Sequence, residues 1–202
     1  MTTGVPDFAG RALAGLRRLK DAERGEEYCD LCSAALPPKH KHFVQSVSHR
    51  LICTCNVCSL LVSGAEMYRA VAPTAQQLYK LHISDAQWRV LGIPVGLAFF
   101  YITDDQNVIA VYPSPAGPVR AQIDVSDWKA TLGALPVFEN LKPLVESVLI
   151  DRNRDTHCCL VPIDRCYELI GAIRRLWQGF SGGAAVQQEI KHFFENLQQE
   201  TA

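Results

Sequence analysis

The sequence lacks the features that would direct the chain to a membrane or to a nucleic acid. Its 202 residues carry a net charge of −1, so no overall basic field attracts nucleic acid or anionic lipid. The first residues, MTTGVPDFAG, contain neither the basic segment nor the apolar run of a secretory signal. No uncharged run reaches the roughly 20 apolar residues that a spanning helix needs. We therefore expect a cytoplasmic protein without membrane insertion.

Several signatures of catalysis are also missing. The sequence holds no phosphate-binding loop of the form GxxxxGK followed by Ser or Thr, no GxGxxG fingerprint and no HExxH motif. Apolar residues make up 48% and charged residues 20%, which excludes a disordered chain. These observations favour a folded binding or accessory protein over an enzyme.

The positions of the cysteines form an informative pattern. Eight cysteines occur without an export signal, so structural disulfides are not expected. Five lie between Cys29 and Cys58, and three lie between Cys158 and Cys166. Such clustering in an intracellular chain indicates metal binding or thiol chemistry.

The first cluster has the spacing of a four-cysteine metal site. Two CxxC pairs, separated by 22 residues, are typical of a tetrahedral shell of four thiolates, which suits zinc and also accepts iron. The predicted ligands are Cys29, Cys32, Cys55 and Cys58. Two alternatives remain open, namely that Cys53 replaces Cys55, or that His40 or His42 supplies a ligand.

The charge of this part of the chain argues against a nucleic-acid-binding ribbon. Residues 1–58 contain eight Lys and Arg against six Asp and Glu. Four thiolates on a divalent ion add a net charge of about −2, which cancels this small excess. Nucleic-acid-binding modules normally keep a basic surface.

The second cysteine cluster admits two interpretations. His157 beside Cys158 and Cys159, with Cys166 nearby, resembles the partners of nucleophilic catalysis or further metal ligands. Neighbouring residues on a strand point to opposite faces, so Cys158 and Cys159 do not easily share one site. We expect these thiols to be buried as small apolar side chains.

Patterning divides the chain into three segments and predicts an α+β fold. Residues 1–24 form an amphipathic N-terminal helix, with Phe8, Ala12, Leu16 and Leu19 on one face. Residues 25–72 form a small metal ribbon, with a β-hairpin from runs 42–47 and 50–54. Residues 73–202 form the body, an antiparallel sheet with flanking helices on one side and two C-terminal helices.

Helix caps locate the helices of the body. Ser84 and Gln87 form a capping box, with Ile83 and Trp88 as its hydrophobic staple. Ser126 and Asp164 are the predicted caps of two later helices. Strands are predicted at 95–103, 108–112, 119–123, 145–150 and 158–161.

Several segments together resemble an uncharacterised cysteine-rich, zinc-ribbon-like family whose members are encoded beside nickel–iron hydrogenases. The segments are CDLC, PPKHKHF, LICTCNVCSLL, GIPVGLAFF, YPSPAG, VPIDRCYELIGAIRRLW and GFSGG. The resemblance implies a zinc-ribbon-like or rubredoxin-like start, and it places the family's cysteine motif on Cys29, Cys32, Cys53, Cys55 and Cys58. It also implies a link to hydrogenase assembly or electron transfer.

The residues and the resemblance lead to two functional hypotheses. The first is a zinc-binding accessory protein that assists hydrogenase maturation or assembly by contacting a hydrogenase subunit or maturation protein. The alternative is a rubredoxin-like one-electron carrier with iron in the four-cysteine site. Rubredoxins usually have glycine soon after each CxxC, where this chain has Ser33 and Ser59, and this disfavours the alternative.

Overall fold

The computed structural model describes most of the chain from residue 27 onward. The described residues are 27–72, 77–80, 83–133, 135, 138, 140–153, 157–179 and 182–200. The helix predicted for residues 1–24 lies outside them. The chain divides between Ala70 and Val71 into two compact units.

The smaller unit is built on a three-stranded antiparallel sheet. Its strands are β1 (Lys41–Gln45), β2 (Arg50–Thr54) and β3 (Tyr68–Ala70), in the order β2-β1-β3. The predicted hairpin is therefore present as β1 and β2, joined by a turn at residues 46–49. One helix, α1 (Asn56–Val62), follows β2 directly and was not predicted.

The apolar core of the smaller unit is slight. Phe43 and Ile52 lie opposite each other on β1 and β2, and they pack with Val62 of α1 and the half-buried Tyr68. Burial of one such side chain contributes roughly 1.5–3 kcal/mol. Val44 is buried as well, and the buried apolar side chains of this unit are still few for its length.

The larger unit contains one six-stranded sheet in which every neighbouring pair is antiparallel. The strand order is β4-β9-β8-β5-β6-β7. The strands are β4 (Gln77–Lys80), β5 (Leu97–Ile102), β6 (Val108–Ser114), β7 (Gly117–Ile123), β8 (Glu146–Asp151) and β9 (His157–Pro162). Five of the six match predicted runs, whereas β4 was not predicted. The α+β class is confirmed.

Helices cover both faces of this sheet rather than one, which corrects the expectation from the sequence. They are α2 (Asp85–Val90), α3 (Val125–Thr131), α4 (Ile163–Leu176) and α5 (Gly183–Glu200). Trp88 of α2 and Trp128 of α3 pack with Phe100 of β5. The neighbouring Phe99 packs against Tyr167 of α4, and successive side chains of a strand point to opposite faces. Among the described helices, none has the length and apolar character to span a membrane.

One of the three observed helix caps is the one predicted from the sequence, and the other two differ from the prediction. Ser84 caps α2 in a full capping box with Gln87, as predicted. The cap of α3 is Asp124, whose carboxylate accepts from the backbone N–H groups of Ser126 and Asp127. Pro162 stands at the cap position of α4, and Asp164 lies inside that helix. Ser126 and Asp164 were therefore wrong as caps, because the carboxylate or proline upstream already sets the helix start.

The capping box predicts a specific loss of stability. Replacing Ser84 with Ala removes the acceptor for the Gln87 N–H, and we expect the free energy of unfolding to fall by about 1 kcal/mol. Urea unfolding followed by tryptophan fluorescence measures this loss, since all three tryptophans lie in the larger unit. The control is Lys129→Ala at an exposed position of α3, which we expect to cost less than about 0.5 kcal/mol. Equal losses in the two variants would contradict the assignment.

Candidate metal centre

The first CxxC pair lies in a tight loop closed by backbone hydrogen bonds. The N–H of Cys29 donates to the carbonyl of Ala34 at 2.8 Å, and the N–H of Ser33 donates to the carbonyl of Cys29 at 2.8 Å. Ser33 has a φ of +62°, the left-handed conformation that glycine adopts most readily. A serine thus performs the turn for which rubredoxins use glycine, so the missing glycine does not prevent the loop from forming.

The second CxxC pair lies where β2 ends and α1 begins. Cys55 is the N-cap of α1, and its sulfur accepts from the backbone N–H of Cys58 at 3.4 Å. Both sulfurs are therefore held by the first turn of a helix. Ser59 continues that helix and donates its hydroxyl to the carbonyl of Asn56, so no glycine is needed after this pair.

The two pairs converge to form one cluster of sulfur atoms. The Sγ atoms of Cys29, Cys32, Cys55 and Cys58 all lie within 4.8 Å of one another. The Cys32 and Cys55 sulfurs are 3.7 Å apart. A tetrahedral zinc site with bonds of about 2.3 Å has sulfur–sulfur edges of about 3.8 Å. The sulfur donors and the distances between them therefore allow the cluster to hold a metal ion.

Burial and hydrogen bonding make the four thiols unequal. Burial raises the pKa of Cys29, but backbone N–H groups of Cys55, Cys32 and Leu31 outweigh it and lower that pKa to about 6. Hydrogen bonding with the Cys32 sulfur and then burial raise the pKa of Cys58 to about 12. Without a cation, the lowered pKa favours a thiolate at Cys29, and the raised pKa favours a thiol at Cys58. A divalent ion supplies the charge that lets all four sulfurs ionise.

Asp30 fixes the first loop to the outer strand of the sheet, a role that the sequence analysis missed. Its N–H donates to the carbonyl of Cys53, and one carboxylate oxygen accepts from the Cys53 N–H at 2.8 Å. The other oxygen accepts from Arg50 at 2.8 Å. β2 is an edge strand, so its outward backbone groups would otherwise lack a strand partner. An acidic residue inside a CxxC pair is the only sequence signal of this contact.

The other predicted candidates lie in a separate group. His40, His42 and Cys53 offer ligand atoms that lie within 4.8 Å of one another, apart from the four-sulfur cluster. The structure therefore brings Cys55 rather than Cys53 to the four-sulfur cluster. The strand ends at Thr54, and Cys55 turns away from the strand to cap α1. The identity of the ligands themselves stays a prediction.

The thiols of the second cysteine cluster are buried in the larger unit. Cys158, Cys159 and Cys166 are each at most 1% exposed. Burial raises the pKa of Cys158 to about 12, that of Cys159 to about 12, and that of Cys166 still further. The Cys166 sulfur is 3.2 Å from the Ser147 hydroxyl. These thiols stay protonated, as expected for buried apolar side chains, and thiolate catalysis receives no support.

The segment GFSGG at residues 179–183 matches the GxSxG pattern of serine hydrolases. In those enzymes the serine stands on a sharp turn between a strand and a helix. Here the segment connects two helices, since α4 ends at Leu176 and α5 begins at Gly183. The match therefore lacks the structural context that gives the pattern its function.

Comparison with known proteins identifies a family and no function. The model of the family described as "Family of unknown function (DUF5947)" matches residues 28–201. The chain therefore belongs to that family. No curated protein matches significantly. No solved structure matches significantly either.

A structural metal predicts that the two units respond differently to the loss of one cysteine. In Cys29→Ser we expect proteases to cleave within residues 25–72, because metal binding contributes on the order of 10 kcal/mol to the folding of such sites. Tryptophan fluorescence of the larger unit should stay unchanged. Limited proteolysis tests this, with Val47→Ala at an exposed position of the β1–β2 turn as the control. An unchanged digestion pattern in Cys29→Ser would contradict a structural metal.

The contacts of Asp30 predict a loss of metal affinity without loss of a ligand. Asp30→Ala frees the first loop from β2, and we expect zinc affinity to fall by about 10–100-fold, as for other residues that position metal ligands. Competition with a coloured zinc chelator measures the affinity. Glu66→Ala, an exposed acidic residue of the same unit, should retain wild-type affinity. Equal affinity in wild type and Asp30→Ala would refute this role.

Proposed function

We propose that this member of a family of unknown function is a metal-binding accessory protein whose four-cysteine centre holds one zinc ion. The observation that carries the proposal is the convergence of four sulfurs from two separate loops, with spacing that suits a tetrahedral ion. In this role the metal stabilises the smaller unit, and the protein acts through contacts with another protein in the cytoplasm.

A structural role for the metal follows from the small core of this unit. Phe43, Ile52 and Val62 are the buried side chains of its apolar cluster. Two of the four cysteines, Cys29 and Cys58, are also buried, so the ion would complete the interior. Small domains with too little apolar surface to bury commonly depend on such an ion.

Zinc is proposed over iron on chemical grounds. A four-thiolate shell in a structural site suits zinc, which is tetrahedral and has no redox chemistry. The same shell suits iron, and the loop conformation of Ser33 removes one argument against it. A one-electron carrier is therefore the second candidate, supported by this loop geometry.

Elemental analysis with a visible spectrum separates the two candidates. Protein purified without oxygen should contain zinc, no iron and no visible absorption. One iron per chain with a reversible one-electron potential would instead establish the electron carrier.

The surface of α1 supports action through a protein partner. Val57, Leu60 and Leu61 recur at helical spacing and are 68–77% exposed, and Leu31 of the first CxxC loop is 43% exposed. Exposed apolar residues grouped on one element are typical of interaction sites. The resemblance to a hydrogenase-linked family makes a hydrogenase subunit or maturation protein the proposed partner.

This proposal predicts the effect of charge on α1. In cells that make a nickel–iron hydrogenase, we expect the wild-type chain to capture a hydrogenase subunit or maturation protein. Leu60→Asp combined with Leu61→Asp should lose that capture, because charge disfavours an apolar contact, while zinc content stays at the wild-type level. Mass spectrometry of the captured proteins is the measurement.

The control is Val90→Asp combined with Val125→Asp, which places the same charge at two exposed apolar positions of the larger unit. It should capture the partner as the wild type does. Absence of every hydrogenase component from the wild-type capture would refute the partner assignment.

A further inference from the structure

We propose that His40, His42 and Cys53 form a second metal site in the smaller unit, which takes a divalent late transition-metal ion and leaves one coordination position open. The three side chains offer two ring nitrogens and one sulfur, all within 4.8 Å of one another. None of the three belongs to the four-cysteine cluster. The inference goes beyond the proposed function, and the ion count that tests it rests on a filled four-cysteine centre.

The strand register brings the three side chains together. His42 of β1 lies directly opposite Cys53 of β2, so their side chains share one face of the hairpin. His40 precedes β1 by one residue and lies two positions before His42. The apolar pair Phe43 and Ile52 occupies the other face. The alternation of the two strands thus places the metal-binding side chains on the face opposite Phe43 and Ile52.

The two histidines meet through equivalent atoms, which are within hydrogen-bond distance of each other. Their Nε2 atoms are 3.0 Å apart, and the ring planes are nearly perpendicular at 76°. Two nitrogens bound to one tetrahedral zinc at about 2.0–2.1 Å lie about 3.3 Å apart. A shift of a few tenths of an ångström would therefore accommodate the ion.

The surroundings of His40 fix the tautomer that a ligand needs. Its Nδ1 is 3.0 Å from the carbonyl oxygen of Pro37, which can only accept, so Nδ1 carries the proton. The exposed Glu27 carboxylate lies 3.6 Å from the same nitrogen. In this tautomer the Nε2 lone pair points toward His42. Metal-binding histidines characteristically have such a carbonyl or carboxylate behind them.

Burial and charge also fit an ion. The His40 side chain is only 3% exposed, and the side chains of His42 and Cys53 are half-buried. Two imidazoles and a thiolate are preferred by zinc and its neighbours in the transition series. Binding releases the Cys53 thiol proton, so a divalent ion with one thiolate gives a net charge of +1. A divalent ion in the four-cysteine centre would give that centre a net charge of −2, which would attract the charge of +1 at this site.

Three protein ligands leave one position of a tetrahedral ion available. Catalytic zinc sites have three protein ligands and one open position, whereas structural sites are closed by four protein ligands. The fourth position would take water or an incoming ligand atom. The smaller unit would then combine one closed site and one open site.

Counting bound zinc by native mass spectrometry tests the inference. The reduced full-length chain, saturated with zinc and freed of excess metal by gel filtration, should carry two ions. His40→Ala, His42→Ala and Cys53→Ser should each carry one. The control is His49→Asn in the β1–β2 turn, where φ is +52° and asparagine is tolerated, and it should carry two.

Cobalt substitution monitors the four-cysteine centre in the same variants. Each one-ion variant should keep the intense thiolate-to-cobalt absorption of a four-sulfur site, which shows that the unit is folded. A wild-type chain that saturates at one ion and shows the four-sulfur cobalt absorption would overturn the proposal, as would variants that still bind two. One ion without that absorption, lost in the three variants, would support this site and contradict the four-cysteine centre. Loss of both ions in the variants would also overturn it, because these residues would then only support the first centre.

Discussion

The convergence of four sulfurs is the constraint on which the smaller unit depends. Its apolar cluster has only a few members, and its sheet has three short strands. The first CxxC loop is bound to the edge of β2 by Asp30, and the second pair is built into the start of α1. A shared ion would connect these two otherwise separate anchor points, so metal binding and folding of the unit become one process.

The larger unit needs no such ion, because its sheet is covered on both faces by helices. Trp88, Trp128 and Phe100 pack on one face, and Phe99 with Tyr167 on the other. Its three cysteines are buried in the interior and pack there as small apolar side chains. The cysteines of this chain therefore fall into two classes. Those of the smaller unit lie in groups of side chains that could hold a metal ion, and those of the larger unit are buried among apolar side chains.

Sequence patterns predicted the parts of the structure that depend on local chemistry. The capping box at Ser84, the β1–β2 hairpin and five strands of the large sheet follow from turn residues and apolar alternation. Helix α1 was missed because it has only seven residues and begins at a cysteine cap rather than at one of the usual cap residues. The grouping of His42 with Cys53 needs the strand register, and the role of Asp30 needs the loop and the edge strand in place. Such contacts join residues distant in sequence, so a linear pattern does not contain them.

X-ray absorption at the zinc edge tests the central claim most directly. The sample is the reduced full-length protein loaded with one equivalent of zinc. The account predicts a shell of about four sulfur atoms at about 2.3 Å, since the closed site fills first. A shell dominated by nitrogen and oxygen, or no retained zinc, would contradict a four-cysteine centre.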